Sequence, residues 1–162
     1  MVFILIVACP LNVFSGDNKM NHEYLYKLVD ELVLTKNLKI GDIDTALGIK
    51  LQKKEYTDPF LGGNTKFSIY EFEGSESVFG FSSIRVKIYS NEVPGWGVIS
   101  FELAGNECIS WKKINYPRGK RATIAPDAGG RFTSLVYKIE KTTINFRKQN
   151  ETDCLFDVVI NL

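Results

Sequence analysis

The spacing of apolar residues along the chain changes from a helical period to a strand period. Over 21–36 apolar residues recur every three or four positions, which predicts a helix with Asn21 as its N-cap. A second, shorter apolar face predicts a helix over 40–47, and Gly48 follows where a C-cap glycine belongs. From there apolar and polar residues alternate, which is typical of strands. The strands predicted in this half are 49–56, 65–73, 82–90 and 96–103.

The second half of the chain repeats this order. Residues 108–116 form a short, helix-like segment, and a loop rich in Gly, Pro and Arg follows. Two glycine pairs, 62–63 and 129–130, stand at the same distance before Tyr70 and Tyr137. The strands predicted here are 133–140, 142–148 and 154–162.

This internal repeat predicts the fold class. We expect an α+β protein of two tandem helix-plus-antiparallel-sheet units, one over 16–105 and one over 106–162. A single helical layer cannot cover a whole sheet face, so the two units are expected to share one core.

The N-terminus indicates export. Eight unbroken apolar residues precede Cys9, and such a run before small residues is typical of a secretory signal, here over 1–15. Two forms stay open: a bacterial lipoprotein with Cys9 lipidated, or a soluble protein cleaved before Gly16. No Lys or Arg precedes the run, and a buried strand is the alternative interpretation. We expect the bacterial periplasm, or the envelope membrane through a lipid anchor.

Composition narrows the classes of partner. Apolar residues make up 44% and charged residues 24%, which is ordinary for a globular protein. The formal net charge is +1, so no global field attracts nucleic acid, and none is expected as a partner. In an oxidising compartment Cys108 and Cys154 could pair as a disulfide; two buried free thiols are the alternative.

No pattern of catalytic or metal-binding residues stands out. His22 is the single histidine, and no Ser, Asp or Cys pattern surrounds it. Asp42 and Asp44 lie two apart on a predicted helix and do not share a face. We therefore expect a protein that is not an enzyme and that holds no cofactor and no metal ion.

Binding side chains are predicted on one face of the sheet. In the strand 82–90, Arg85, Lys87 and Tyr89 alternate with apolar residues. If this strand forms a hairpin with 96–103, Trp96 joins them on that face. Aromatic and arginine side chains are the usual energetic anchors of protein interfaces. The alternative is that helices cover this face.

A basic loop offers a second candidate surface. Arg118, Lys120 and Arg121 lie in the six-residue loop 116–121, which is the densest positive segment of a nearly neutral chain. They could contact an acidic partner protein or phospholipid headgroups; an ordinary solvated loop is the alternative.

These patterns resemble known exported binding proteins. A helix that ends in Ala46-Leu47-Gly48, followed by antiparallel strands and then a repeat, resembles the β-lactamase-inhibitor-protein-like architecture, and single units resemble the SmpA/BamE outer-membrane lipoproteins. The segments 111–116 and 154–160 also resemble small exported immunity proteins. Both resemblances imply a binding protein. Together with the export signal, the repeat, the possible disulfide and the lack of a catalytic pattern, this leads us to expect an inhibitor of a secreted toxin or hydrolase, as in interbacterial immunity. A structural or assembly lipoprotein of the outer membrane is the alternative, and no feature predicts an oligomeric state.

Overall fold

Two helices begin the described part of the chain. The computed structural model describes residues 20–35, 38–58, 65–78, 80–89, 97–105, 107–126 and 129–162, with the backbone alone at 56–58, 65–67, 73–78, 89 and 123. Helix α1 spans His22–Leu34 and helix α2 spans Ile40–Leu47. The Asn21 side chain accepts a hydrogen bond from the Tyr24 amide at 2.9 Å and so caps α1, as predicted. Gly48 ends α2 with a φ of 62°, a left-handed conformation that favours glycine.

Within the described residues, eight antiparallel strands form one sheet in the order β1-β2-β3-β4-β8-β7-β6-β5. Each half of the chain supplies a four-stranded meander, and β4 pairs with β8 to join the two. The strands are β1 Gln52–Asp58, β2 Thr65–Val78, β3 Phe81–Tyr89, β4 Gly97–Leu103, β5 Lys120–Pro126, β6 Phe132–Ile139, β7 Thr142–Gln149 and β8 Leu155–Asn161.

The predicted fold class is wrong. The described residues form one mostly antiparallel sheet with two short helices, not two helix-plus-sheet units. The second half contains a 3₁₀ turn, Trp111–Lys113, where the repeat required a helix. The backbone bridge between Ser110 and Cys154 holds the chain extended just before this turn, and Pro117 follows soon after it, so a regular helix has no room to develop.

One predicted loop is a strand. Residues 120–126 form β5, an edge strand of the sheet with a register irregularity between Arg121 and Thr123. The strand carries charged and small residues and ends at Pro126, a composition that suits an edge and gives little alternation. The other seven predicted strands match β1–β4 and β6–β8 within a few residues at each end.

Helix α1 covers the second half of the sheet. The Tyr26 ring lies 5.5 Å from Tyr116 and 6.2 Å from Phe146, centroid to centroid. The Tyr26 hydroxyl accepts a hydrogen bond from the Asn115 amide at 2.8 Å, and His22 Nε2 donates to the Ser110 carbonyl at 3.1 Å. The second meander therefore needs no helix of its own, because the first helix of the chain supplies its cover.

Asp30 fixes the same helix to the loop that precedes β5. Its carboxylate accepts a hydrogen bond from the Tyr116 hydroxyl and another from Arg118 Nε at 2.7 Å. Burial, reinforced by the Asp30 carboxylate, raises the pKa of Tyr116, so the phenol remains a hydrogen-bond donor.

A single apolar core lies between the helices and the sheet. Its centre in the second half is a set of aromatic rings in which Tyr137 meets both Tyr116 and Phe146 edge-to-face, with centroids 5.8 and 5.7 Å apart. The Trp111 indole donates to the Phe146 carbonyl at 3.0 Å, which satisfies its buried N–H. The core therefore includes residues of both halves of the chain.

The predicted cysteine pair is in place. Cys108 and Cys154 are joined as a disulfide with their Cα atoms 5.0 Å apart. The bond ties the segment before the 3₁₀ turn to the start of β8, where Leu155 also donates its amide to the Ile109 carbonyl at 2.8 Å.

Loss of this disulfide should destabilise the fold. The bond closes a loop across a sequence separation of 46, and the chain-entropy account gives about 4 kcal/mol for such a loop. We expect reductant to lower the free energy of unfolding of the oxidised protein by that amount in a denaturant titration. The Cys108→Ser/Cys154→Ser variant should match the reduced protein and show no response to reductant. Equal midpoints for oxidised and reduced protein would contradict the assignment.

Candidate partner-binding face

The described helices pack on one side of the sheet, and we call the opposite side the helix-free face. Strand alternation sends Ile84 and Val86 of β3 into the core and Arg85 and Lys87 to the helix-free face. The same alternation holds in the paired strand, where Phe101 is buried. β3 and β4 pair antiparallel, which is the condition on which the predicted binding face depends.

The strand registers align most of the described side chains of the helix-free face in three cross-strand rows. The first row runs without interruption across all eight strands. In strand order it is Lys54, Ile69, Lys87, Val98, Asn161, Thr143, Lys138 and Lys120. We call this the lysine row, since it holds four lysines and no acidic residue. The second row contains Gln52, Glu71, Arg85, Ser100, Val159, Asn145 and Val136, and the third contains Ser83, Glu102, Asp157, Arg147, Ser134 and Ala125. Phe132 and Gln149 form a further pair beyond the third row.

Glu71 is the centre of an ion-pair cluster in the second row. Its carboxylate accepts from Lys54 Nζ and from Arg85 Nε, each at 2.7 Å. The glutamate side chain is 7% exposed, whereas the two cations are 46% and 51% exposed. The hydrogen bond from Lys54, opposed by burial and assisted by Arg85, lowers the pKa of Glu71. The acid is thus ionised and already neutralised within the face.

A second ion pair lies in the third row. Arg147 donates to Asp157 through Nε at 2.6 Å and through a second guanidinium nitrogen. The guanidinium also lies 5.2 Å from the centroid of Phe132, which packs against Phe156. Burial raises the pKa of Asp157, and the hydrogen bonds from Arg147 oppose that shift. The arginine is therefore the group that favours the ionised form of this buried carboxylate.

The formal charges of the described side chains differ between the rows. The first row holds four lysines, of which Lys54 is bonded to Glu71, and the second row holds Glu71 and Arg85. In the third row Glu102 and Asp157 outnumber Arg147 by one. The helix-free face therefore carries a charge gradient from a basic row at one end to a weakly acidic row at the other.

The predicted residues of the hairpin are partly described. Arg85 and Lys87 lie on the helix-free face, in neighbouring rows. Tyr89 ends β3, but its side chain is outside the described part, and Trp96 lies outside the described residues altogether. The alternative, that helices cover this face, does not hold for the described helices, because α1 and α2 pack on the other side.

The three cations of the basic loop do not form one surface. Arg118 is bound to Asp30 of α1 on the helix side. Lys120 pairs across strands with Lys138 on the helix-free face, whereas Arg121 lies opposite the buried Tyr137 and so points to the other side. The strand that replaces the predicted loop separates them, because successive side chains point to opposite faces.

Sequence reasoning missed several charged residues of the face, among them Glu71, Arg147 and Lys138. Each lies in a correctly predicted strand and on the polar side of its alternation. Only the registers, which bring distant strands together, show that Lys138 belongs with Lys120 and that Arg147 meets Asp157.

Three further points concern the predicted signal segment, metal binding and membrane spans. Cys9 and the segment 1–15 lie outside the described residues. Within the described ranges, no three His, Cys, Asp or Glu side chains come together as a metal site. None of the helices in this described part is long and apolar enough to span a bilayer.

Comparison of the chain with protein-family models, with curated proteins and with solved structures finds no match.

The Glu71 cluster predicts a pH-dependent stability. The folded-state pKa lies below the ordinary 4.5, so the stabilising contribution is complete above pH 4.5 and is lost as the pH falls through the lowered value. At pH 7 we expect Glu71→Gln to cost about 1–2 kcal/mol in the free energy of unfolding. The difference from the unmodified protein should shrink below pH 4.5.

Glu102→Gln is the matched control, since Glu102 is an exposed glutamate of the same face. It should change stability by less than about 0.5 kcal/mol at any pH. A Glu71→Gln deficit that stayed constant from neutral to acidic pH would contradict the ion-pair assignment.

Proposed function

We propose that this chain is an envelope binding protein that inhibits a secreted toxin or enzyme by docking it on the helix-free face. The observation that carries the proposal is the face itself, which spans eight strands without cover from the described helices. At the usual strand spacing its width is about 34 Å, comparable to a standard protein interface.

The chemistry of the face supports a protein partner. Half-buried Val98, Val159 and Val136 lie between hydrogen-bonding side chains such as Ser100 and Asn145. Such a mixture of apolar and polar groups is typical of protein interfaces. The two ion-pair clusters hold their side chains in place before binding, which lowers the ordering cost of association.

The mechanism we propose is occlusion. A sheet whose core joins both halves of the chain is a stiff platform, and a stiff platform can cover the active-site entrance of a partner without rearranging. Export to the bacterial envelope, as a lipoprotein or a soluble periplasmic protein, would place the inhibitor where it meets a secreted toxin or hydrolase.

A substitution in the middle of the face should abolish capture of the partner. Ser100 of β4 lies between Arg85 and Val159, so an arginine there adds bulk at the centre. We expect Ser100→Arg to weaken by about tenfold or more the binding of a toxin or hydrolase captured by the unmodified chain. Inhibition of that enzyme in a titration should weaken equally.

The control is Thr45→Arg, which makes the same change at an exposed position of α2, on the helix side. It should bind and inhibit like the unmodified chain. Capture of resident outer-membrane assembly proteins alone, with no inhibited enzyme, would overturn the inhibitor proposal in favour of the assembly lipoprotein.

Export makes a separate prediction about the mature chain. Expression of the full sequence in a bacterium should give an envelope protein whose mass shows either a lipidated Cys9 or a first residue Gly16. Cys9→Ser should remove the lipid in the first case and change nothing in the second. An unprocessed chain recovered from the cytoplasm would contradict export.

A further inference from the structure

We propose that the partner presents an acidic surface to the lysine row, with Lys120 and Lys138 as its main anchors. This inference rests on the proposed function, because it names the chemistry of the partner that the helix-free face would bind. It begins from a pair of like charges that the fold places directly opposite each other.

Lys120 of β5 and Lys138 of β6 are cross-strand neighbours, and both are exposed. Directly opposite side chains in an antiparallel pair have Cβ atoms about 5 Å apart, where like charges repel and destabilise the sheet. Among the described residues no carboxylate lies within salt-bridge distance of either amine. A bound carboxylate would relieve this repulsion.

Edge protection explains only part of the arrangement. Lysine on an edge strand discourages strand addition, which accounts for Lys120 on β5. Lys138 lies on the second strand, where no edge needs protection. Its position directly opposite Lys120 therefore points to a ligand that contacts both lysines.

The charge gradient across the helix-free face favours a folded protein as the ligand over a uniform polyanion. An anionic membrane or a nucleic-acid duplex laid across the face would meet the lysine row but also Glu102 in the third row, which repels it. A protein can place carboxylates over the lysines and different groups over the third row. Val98 and Ile69, which lie between the lysines, offer apolar contact to such a partner.

A short acidic peptide tests the charge chemistry without the partner. A labelled peptide of about ten glutamates spans about 33 Å when extended, close to the width of the row. At low ionic strength we expect it to bind the full chain, and to bind Lys120→Glu/Lys138→Glu about tenfold more weakly or worse. That double reversal keeps a like-charge pair, so its effect on folding is small, and a denaturant titration verifies this. Lys50→Glu/Lys113→Glu changes the net charge equally at exposed positions outside the face and should bind within about twofold of the unmodified chain.

Other outcomes overturn the proposal. Equal peptide binding by the two double variants would exclude the lysine row as the acidic site. Tighter binding of phosphatidylglycerol vesicles or duplex DNA than of the peptide, abolished by the same reversal, would assign the row to a polyanion instead.

Capture of the partner by the two face variants distinguishes this inference from the proposed function. If Ser100→Arg abolishes capture and Lys120→Glu/Lys138→Glu does not, the face binds a partner that is not acidic. If neither substitution weakens capture, the helix-free face is not the binding surface.

Discussion

The pairing of β4 with β8 is the interaction on which the rest of the structure depends. Without it the two meanders would each expose an edge strand and half of a core. In this pairing Phe101 lies opposite Val158 in the core, and the next pair, Ser100 with Val159, lies on the helix-free face. A slip of one residue would exchange the two faces, so the apolar side chains of both strands fix the register. The continuous rows of the helix-free face are a consequence of that register.

Helix α1 adds a second connection between the halves. It comes first in the described chain, yet its Tyr26 and Asp30 contact the loop and strands of the second meander. The disulfide from Cys108 to Cys154 then holds the link between the meanders to the start of β8. Sheet pairing and helix cover therefore each join the two halves of the chain, and the disulfide braces the second half. A platform braced in this way would lose little conformational freedom on binding a partner.

Local periodicity was enough to predict both helices and seven of the eight strands, because each has a buried face that repeats every two or every 3.6 residues. Strand β5 was not predicted, because this exposed edge strand lacks the regular alternation of apolar and polar residues. The fold class failed for a different reason. The sequence cannot show that α1 covers the second meander, since the contact of Tyr26 with Phe146 joins residues far apart in the chain. The lysine row is hidden in the same way, because it exists only through the registers.

Paired and unpaired charges have different roles on such a face. Glu71 and Asp157 are nearly buried and are bound by their own arginines and lysine, so a partner that displaced them would leave buried acids unsatisfied. These two ion pairs therefore fix the positions of their own side chains, and we do not expect groups of a partner to displace them. Lys120 and Lys138 are exposed and lie in the basic row. They could exchange bound water for a carboxylate of the proposed partner at a much lower cost in desolvation free energy. If the face binds the proposed partner, selection among partners should come from the match of charge pattern along the rows, since a partner with acids over the third row would meet repulsion there.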